Sequence, residues 1–324
     1  MYLEPDLSVN LTGIKLANPT ILASGILGVS SDLMIRVARA GAAAVVTKSF
    51  NRNGREGYRN PSFIQLQGGF LNALGIPNPG MIEMRGEIEK VAVTGVPIIA
   101  SVFGFDAEEF AEAAVTGEKA GASAIELNVS CPHVKEVGVE IGQKAEMVHE
   151  VVRAVKKTVR LPVFAKLTPN VTSIANIAKA ARDGGADGIT AVNTVLGMAI
   201  DVDAGQPALA GIMGGLSGPV LHAVAVRAVY EIRRAVDLPI IGVGGIEDWR
   251  SAVEIMMAGA SAVQIGSAIA YNGLDVFRNT VTGINKFLGR SHYRSIRDIV
   301  GLAAHVVPVP EISDLEKNKR TLQH

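Results

Sequence analysis

The sequence predicts an α/β protein with the architecture of a (β/α)8 TIM barrel. The first observation is a repeated pattern in which a short apolar run is followed by a polar or glycine-rich turn and then by an amphipathic helical stretch. The second is that these runs are apolar throughout, which is typical of parallel strands covered on both faces. The third is their number, because eight such units close a barrel. A doubly wound open sheet is the alternative fold.

A hairpin is predicted ahead of the barrel, where residues Leu7 to Asn18 alternate in polarity around Gly13. The eight predicted strands are Thr20–Ala23, Ala43–Thr47, Pro97–Val102, Ala124–Asn128, Pro162–Lys166, Gly188–Val192, Pro239–Val243 and Ala262–Ile265. The predicted helical stretches include Asp32–Ala40, Ala107–Ala120, Lys144–Val159, Ser173–Asp183, Pro219–Val236 and Trp249–Ala258. Several are followed by a Gly-Ala pair, and glycine favours helix C-termini because it adopts positive φ at little cost. These pairs are Gly41-Ala42, Gly121-Ala122, Gly185-Ala186 and Gly259-Ala260.

The repeated pattern predicts that residues 1–324 form a single barrel domain with a core at about 20–287. No low-complexity linker divides the chain. Two connections, Phe50–Gly80 and Leu196–Gly218, are longer than an ordinary βα loop. Each follows the C-terminal end of a strand, which is the face where barrel active sites lie. Residues of about 306–324 are interpreted as a surface tail.

Composition restricts the possible partners. The 324 residues include 48% apolar and 19% charged residues, and 31 basic residues balance 31 acidic ones. This balance argues against nucleic acid or an anionic membrane as a partner. The N-terminus has no signal-peptide layout, and no apolar run is long enough to span a bilayer. Together with a single cysteine, these features predict a cytoplasmic protein.

Polar residues and glycines lie at, or directly after, the C-terminal ends of the predicted strands. They are Ser24-Gly25, Lys48-Ser49, Ser101, Asn128, Lys166, Asn193-Thr194, Gly244-Gly245 and Gly266-Ser267. Burying such a set at one barrel mouth would be costly without a ligand. The glycine turns after strands seven and eight predict a phosphate site, since backbone N–H groups can approach an anion there. The spacing in Gly242–Gly245 does not match a dinucleotide fingerprint, so a Rossmann NAD site is not supported.

Cys131 is the one cysteine of the chain, and it follows strand four in the run Asn128-Val129-Ser130-Cys131-Pro132-His133. A lone cysteine forms no intrachain disulfide, so it is either an inert buried thiol or a reactive one. The polar neighbours favour the reactive thiol. The six histidines have no zinc-ligand spacing, and no metal site is predicted.

These residues leave three classes of function open. The first is an enzyme that holds a phosphate-bearing cofactor or substrate over Cys131. The second is a Schiff-base barrel with Lys48 or Lys166 as nucleophile. The third is a non-catalytic protein that binds a phosphate ligand. A flavin spectrum supports the first, and borohydride trapping of a carbonyl substrate supports the second.

The motifs, taken in order, resemble one known family. They are Thr47-Lys48-Ser49, Asn72-Ala73-Leu74-Gly75 with Asn78-Pro79-Gly80, Asn128-Val129-Ser130-Cys131-Pro132, Ala165-Lys166-Leu167-Thr168-Pro169-Asn170, Asn193-Thr194, Gly214-Gly215-Leu216-Ser217-Gly218-Pro219, Gly244-Gly245 and Gly266-Ser267. From about Leu7 to Phe287 the chain resembles the catalytic subunits of class 1B dihydroorotate dehydrogenases. Each motif alone is weak, but the ordered set is highly specific.

The resemblance implies a barrel with one FMN that oxidises dihydroorotate to orotate in pyrimidine biosynthesis. Cys131 matches the family's general base, which takes a proton from C5 while hydride leaves C6 for flavin N5. The implied substrate contacts are Lys48, Asn72, Ala73, Leu74, Gly75, Ile76, Asn128, Asn193 and Thr194. The implied flavin contacts are Ser24, Lys48, Ser49, Asn128, Lys166, Val192, Gly218, Gly244, Gly245, Gly266 and Ser267.

A cysteine base, rather than a serine, distinguishes the chain from the membrane-associated class of the family. The segment Gly197-Met198-Ala199-Ile200-Asp201 and the later run Gly214-Gly215-Leu216-Ser217-Gly218-Pro219 resemble class 1B rather than the fumarate-using class 1A. Class 1B implies a partner subunit that carries FAD and a [2Fe–2S] cluster and passes electrons to NAD, in a heterotetramer built on a homodimer. A class 1A enzyme is the alternative within the family, and a phosphate-ligand barrel without redox activity is the alternative from another class. Two positions depart from the family pattern, since His133 and Ser101 stand where many relatives have asparagine.

Overall fold

The computed structural model describes residues 4–129 and 138–305, apart from the side chains of 138–140. The strands in chain order are β1 (Val9–Leu11), β2 (Ile14–Leu16), β3 (Thr20–Leu22), β4 (Ala44–Val46), β5 (Phe63–Leu66), β6 (Gly69–Asn72), β7 (Ile98–Val102), β8 (Ala124–Asn128), β9 (Val163–Leu167), β10 (Gly188–Ala191), β11 (Val195–Met198), β12 (Ile200–Asp201), β13 (Gln206–Pro207), β14 (Met213–Ser217), β15 (Ile240–Val243) and β16 (Ala262–Ile265). The α-helices are α1 (Ser31–Arg39), α2 (Met81–Ala92), α3 (Ala107–Lys119), α4 (Gly138–Gln143), α5 (Ala145–Lys156), α6 (Ile174–Asp183), α7 (His222–Ala235), α8 (Trp249–Ala258), α9 (Ala268–Asn272) and α10 (Asp275–Arg290). Short 3-10 helices cover Pro219–Leu221, Ile296–Ile299 and Leu302–His305.

Eight strands form a closed parallel barrel in the order β10-β15-β16-β3-β4-β7-β8-β9. The barrel closes where β16 pairs with β3, with Val263 opposite Thr20. The predicted (β/α)8 fold is therefore confirmed, and the doubly wound alternative is wrong. Every predicted barrel strand is present with bounds within one residue, because each is a continuous apolar run buried on both faces.

The helices bury one apolar stripe against the barrel. In α5, the buried residues Val148, Val151, Val152 and Val155 recur at three- and four-residue intervals, which places them on one helix face. The six predicted helical stretches are confirmed within three residues at each end, with Pro219–Leu221 forming a 3-10 turn before α7. The glycines of the four Gly-Ala pairs all have positive φ, between +92° and +136°, as expected at helix C-termini.

The N-terminal hairpin is confirmed, with β1 and β2 antiparallel and Gly13 in the turn at φ +96°. The two long connections differ from the prediction, because much of their length is not loop. Strands β5 and β6 lie in the first, and β11 to β14 lie in or next to the second. Four of these strands form a separate antiparallel sheet in the order β11-β14-β6-β5. Their glycines and short length weaken the alternating pattern, and their partners lie far apart in the sequence.

Within the described residues, no helix is both long enough and apolar enough to cross a bilayer. Cys131, together with Ser130, Pro132 and His133, lies outside the described residues, as does the predicted tail of residues 306–324.

Candidate active site

A cavity of about 380 Å³ lies at the C-terminal ends of the barrel strands, with the four-stranded sheet forming part of its wall. Its volume is in the range of small-molecule sites. The predicted site residues that line it are Ser24, Lys48, Ser49, Asn72, Leu74, Ile76, Asn128, Lys166, Val192, Asn193, Thr194, Gly218, Gly244, Gly245, Gly266 and Ser267. Residues distant in sequence thus meet in one space, as the order of motifs predicts.

Of the predicted site residues within the described part of the chain, two do not line this cavity. Ala73 is wholly buried in a small apolar cluster with Leu71 and Leu209, on the other side of the sheet. Gly75 has φ +73° and lies against Tyr58, where an added Cβ would come within 2.8 Å of the ring. Both belong to the segment that positions Asn72 and Leu74 in the cavity wall. Ala73 and Gly75 therefore hold this segment in place, and neither contributes a side chain to the cavity.

A chain of hydrogen bonds orients the asparagines of the cavity floor. Asn193 Nδ2 donates to Asn128 Oδ1 at 3.3 Å, and Asn128 Nδ2 donates to Ser49 Oγ at 3.1 Å. Ser49 Oγ in turn lies 2.9 Å from Ser101 Oγ. Ser101 is wholly buried one layer beneath the cavity and does not line it. The amides of Asn128 and Asn193 are therefore held in fixed orientations at the base of the site.

The ammonium group of Lys166 is the centre of a second network. Lys166 is 4% exposed, and its Nζ donates to Ser24 Oγ at 2.9 Å and to Glu126 Oε1 and Gln264 Oε1, each at 3.3 Å. Gln264 Nε2 donates to Glu126 Oε2 at 2.6 Å. The sequence interpretation missed Glu126 and Gln264. They could have been found in the sequence, because each is a charged or amide residue inside an otherwise apolar strand. The two runs are Ala124-Ile125-Glu126-Leu127 and Ala262-Val263-Gln264-Ile265.

The glycine turns after β15 and β16 form a cradle of backbone groups. Gly244 and Gly245 have φ +133° and +65°, and a Cβ on Gly245 would lie 2.7 Å from His222 Cβ. His222 Nδ1 donates to the carbonyl of Gly244 at 3.0 Å, which fixes the turn. Across residues 4–129 and 138–305, no acceptor pairs with the backbone N–H of Gly244, Gly245, Gly266 or Ser267. Such a set of donors suits an anion such as a phosphate.

Aromatic rings form one edge of the cavity. Phe63 and Phe70 stack at 5.1 Å between ring centroids, and Phe70 and Tyr271 stack at 4.9 Å. Phe63 and Phe70 also line the cavity. Sequence reasoning missed these rings because they come from β5, β6 and α9. The cavity thus combines an apolar edge, a buried cation, oriented amides and a set of backbone donors, which suits a flat, phosphate-bearing ligand beside a polar one.

Comparison with known proteins points to one family. The sequence model of the family described as dihydroorotate dehydrogenase matches residues 6–288. A protein of Methanocella arvoryzae named dihydroorotate dehydrogenase B (NAD(+)), catalytic subunit, is 47% identical over 301 residues, covering 93% of this chain and 99% of that protein. A protein of the same name from Pyrococcus abyssi is 49% identical over 302 residues, covering 93% of this chain and 100% of its own.

Among solved structures, a DHODH from Eimeria tenella in complex with ferulenol superposes with a TM-score of 0.83, covering 94% of this chain and 91% of that one. Its sequence identity is 21%, so this likeness concerns the fold. The barrel described above is the shared architecture.

Proposed function

This chain belongs to the dihydroorotate dehydrogenase family, and from that membership we propose that it oxidises (S)-dihydroorotate to orotate in pyrimidine biosynthesis. We place it as the catalytic subunit of an NAD-linked enzyme in the cytoplasm. The observation that carries the proposal is one cavity in which Lys166, the oriented asparagines and the glycine cradle meet. The names of relatives 47% to 49% identical support the NAD-linked subclass.

The family is flavin-dependent, and we propose FMN as the cofactor, one per chain. The residues fit it, because the N–H groups of Gly244, Gly245, Gly266 and Ser267 make a cradle for its phosphate that side chains would obstruct. When bound, FMN supplies the two-electron acceptor for the substrate. Lys166 holds a positive charge at the cavity floor with Ser24 beside it, where a cation favours an anionic ring system. The remaining proposed contacts are Lys48, Ser49, Asn128, Val192 and Gly218.

The substrate end of the cavity is proposed to be its amide-rich part. Asn72, Asn128 and Asn193 supply donors and acceptors that match the imide of a pyrimidine ring, and Asn128 and Asn193 are already oriented by the network with Ser49. Lys48 balances the carboxylate of the substrate. Thr194, Leu74 and Ile76 complete the proposed contacts from the cavity wall, and Ala73 and Gly75, which do not line the cavity, are proposed to hold that wall in place. Fixed orientation matters because the reacting carbon must face the cofactor at close range.

Cys131 is proposed as the general base that takes the proton from C5 of the substrate. It follows Asn128, which lines the cavity, by three residues in the chain. A thiolate near a lysine is a competent base, since a nearby cation favours the ionised form. Removal of a proton from C5 by the base and of a hydride from C6, which the bound cofactor would accept, breaks both C–H bonds and converts the C5–C6 single bond to a double bond.

Electrons are proposed to leave through a second subunit that carries FAD and a [2Fe–2S] cluster and reduces NAD, in a heterotetramer built on a homodimer. The relatives' name, catalytic subunit, supports a partner. The sequence agrees, because it has one cysteine and no dinucleotide fingerprint.

The test separates the two half-reactions. The purified chain with FMN is mixed anaerobically with dihydroorotate, and NAD is then added with and without a flavin–iron–sulfur subunit from a relative. We expect flavin bleaching by dihydroorotate alone and NAD reduction only with the partner. Absence of bleaching would refute the proposed activity. Rapid reoxidation by fumarate without a partner would instead assign the chain to the fumarate-using class.

A further inference from the structure

Glu126 is a wholly buried carboxylate inside the barrel, directly beneath the cavity. Its Oε1 accepts from Lys166 Nζ at 3.3 Å and from Ser101 Oγ at 3.4 Å, and its Oε2 accepts from Gln264 Nε2 at 2.6 Å. Burying an isolated carboxylate is costly, and the cost falls when a cation and hydrogen-bond donors surround it. Glu126 is thus surrounded by a cation and two hydrogen-bond donors from three other barrel strands, β7, β9 and β16.

Lys166 connects this buried carboxylate to the ligand space. Lys166 and Gln264 both line the cavity, whereas Glu126 does not. The ammonium group lies between Glu126 on the barrel side and Ser24, which also lines the cavity. Gln264 contacts both members of the pair, which fixes their separation. The charge that the cavity experiences at Lys166 is therefore partly offset by Glu126 from below.

We propose that Glu126 is a positioning residue that acts through Lys166: it holds the ammonium at the cavity floor and sets how much positive charge the flavin meets. This inference rests on the proposed function, because it assumes that FMN occupies the cavity. The charge of the site matters because reduced flavin is anionic and oxidised flavin is neutral, so a stronger local positive charge favours reduction. A neutral residue at position 126 removes the negative charge with which Glu126 partly offsets that of Lys166 and makes the bound flavin easier to reduce.

The experiment compares the FMN midpoint potential and the FMN dissociation constant of the full chain with those of Glu126→Gln. We expect the variant to favour reduced over oxidised FMN by at least tenfold more than the original chain, which is a rise of about 30 mV for a two-electron couple. The matched control is Glu109→Gln. Glu109 is also buried, and its carboxylate accepts from Asn51 Nδ2 at 2.8 Å and Phe105 N at 2.9 Å, but it does not line the cavity. The FMN midpoint potential of Glu109→Gln should equal that of the original chain.

A double-variant cycle tests whether Glu126 acts through Lys166. Lys166→Met removes the ammonium through which Glu126 is proposed to act, so adding Glu126→Gln in that background should produce no further change in potential. An equal shift in both backgrounds would overturn the proposal, as would an unshifted potential in Glu126→Gln. If Glu126→Gln fails to fold because Lys166 has lost the carboxylate beside it, the double variant should restore the fold, and its failure to do so would also count against the pairing.

The two proposals fail in different ways. If the original chain neither binds FMN nor is bleached by dihydroorotate, the proposed function is wrong. If it does both while Glu126→Gln keeps the potential of the Glu109→Gln control, only the role of Glu126 is refuted.

Discussion

Gly245 is the residue where the backbone of the cradle has least room. Its φ is +65°, and an added Cβ would lie 2.7 Å from His222 Cβ and 2.8 Å from His222 N. Gly245→Ala should therefore displace the turn and weaken FMN binding by at least about tenfold, since each 1.4 kcal/mol is a factor of ten. Fluorescence titration of the apoprotein with FMN measures this change.

The control for Gly245→Ala is Gly289→Ala. Gly289 lies in α10 with no heavy atom within 4 Å of an added Cβ. Alanine there should raise the free energy of unfolding by about 0.5–1 kcal/mol and leave FMN affinity unchanged. If Gly245→Ala binds FMN as tightly as this control, the cradle does not hold the phosphate.

Cys131 carries the prediction with the largest effect on rate. Cys131→Ala removes the proposed general base, so the rate constant of flavin reduction by dihydroorotate should fall by about 10²–10⁴. In Cys131→Ser the rate constant should fall less, because the serine hydroxyl can still act as a weaker base at the same position. Anaerobic stopped-flow spectroscopy at the flavin absorbance measures both. FMN affinity serves as the control and should stay constant, and an undiminished rate in Cys131→Ala would exclude the thiol as base.

The sequence predicted the cavity-lining residues at the C-terminal ends of the strands but not the buried partners that orient them. Position in the repeat was enough to place Asn128 and Lys166 at the barrel mouth. Glu126 depends on Lys166 and on Gln264, which lies 138 residues away, and an apolar run gives no indication of such a contact. Hydrogen-bond partners inside a barrel are set by the strand order and register, which only the closed structure defines.

Helices α1 and α2 are joined through Glu87 of α2. Its carboxylate accepts from Lys90 Nζ at 2.7 Å and from the backbone N–H of Ser31, the first residue of α1. The hydrogen bond from Lys90, followed by that from Ser31, lowers the pKa of Glu87 to about 2. The carboxylate therefore favours the anionic form and satisfies one of the unpaired N–H groups at the start of α1.

Glu87→Gln should lower the free energy of unfolding by about 1–2 kcal/mol at pH 7. Because the folded-state pKa lies below the ordinary value of 4.5, this contribution is complete above about pH 4.5 and is lost as the pH falls towards 2. Urea unfolding at pH 7 and pH 3 measures the difference. Glu83→Gln, on the exposed side of the same helix, is the control and should cost little at either pH. A pH-independent difference between Glu87→Gln and the original chain would contradict this account.

The elements differ in how well the sequence predicted them, and the reason is local versus distant pairing. Barrel strands such as β8 and β16 can be recognised in the sequence as short, mostly apolar runs between glycine-containing or polar turns. The sheet formed by β6 and β14 depends on contacts between distant segments, such as Asn72 Nδ2 donating to the carbonyl of Gly215 across 143 residues. Gly214 and Gly215 make β14 look like a loop, yet a Cβ on Gly214 would lie 2.6 Å from the carbonyl oxygen of Asn72. Glycine is therefore required at position 214 because β6 and β14 approach each other closely there.

At the scale of the whole molecule, the cavity exists only when the barrel is closed. Ser24 follows β3 and Ser267 follows β16, and these two strands pair to complete the ring. Lys166 lies in β9, on the opposite side of the barrel from β3, and Gly244 follows β15, which pairs with β16. A ligand that contacts all of these residues binds the folded chain and not the unfolded one, so it must stabilise the fold by mass action.

FMN at 100 times its dissociation constant should add about 2.7 kcal/mol to the free energy of unfolding. For a chain of this size, with an unfolding entropy of about 2.1 cal/mol/K per residue, that corresponds to a rise in Tm of about 4 °C, measured by circular dichroism. Riboflavin has the same ring system without the phosphate, so at equal concentration it should give a clearly smaller rise. The difference between the two ligands reports the contribution of the cradle formed by Gly244, Gly245, Gly266 and Ser267, because those backbone donors have no other group on the ligand to bind. Equal rises with both ligands would mean that the ring alone is recognised, and the phosphate would then have to lie elsewhere.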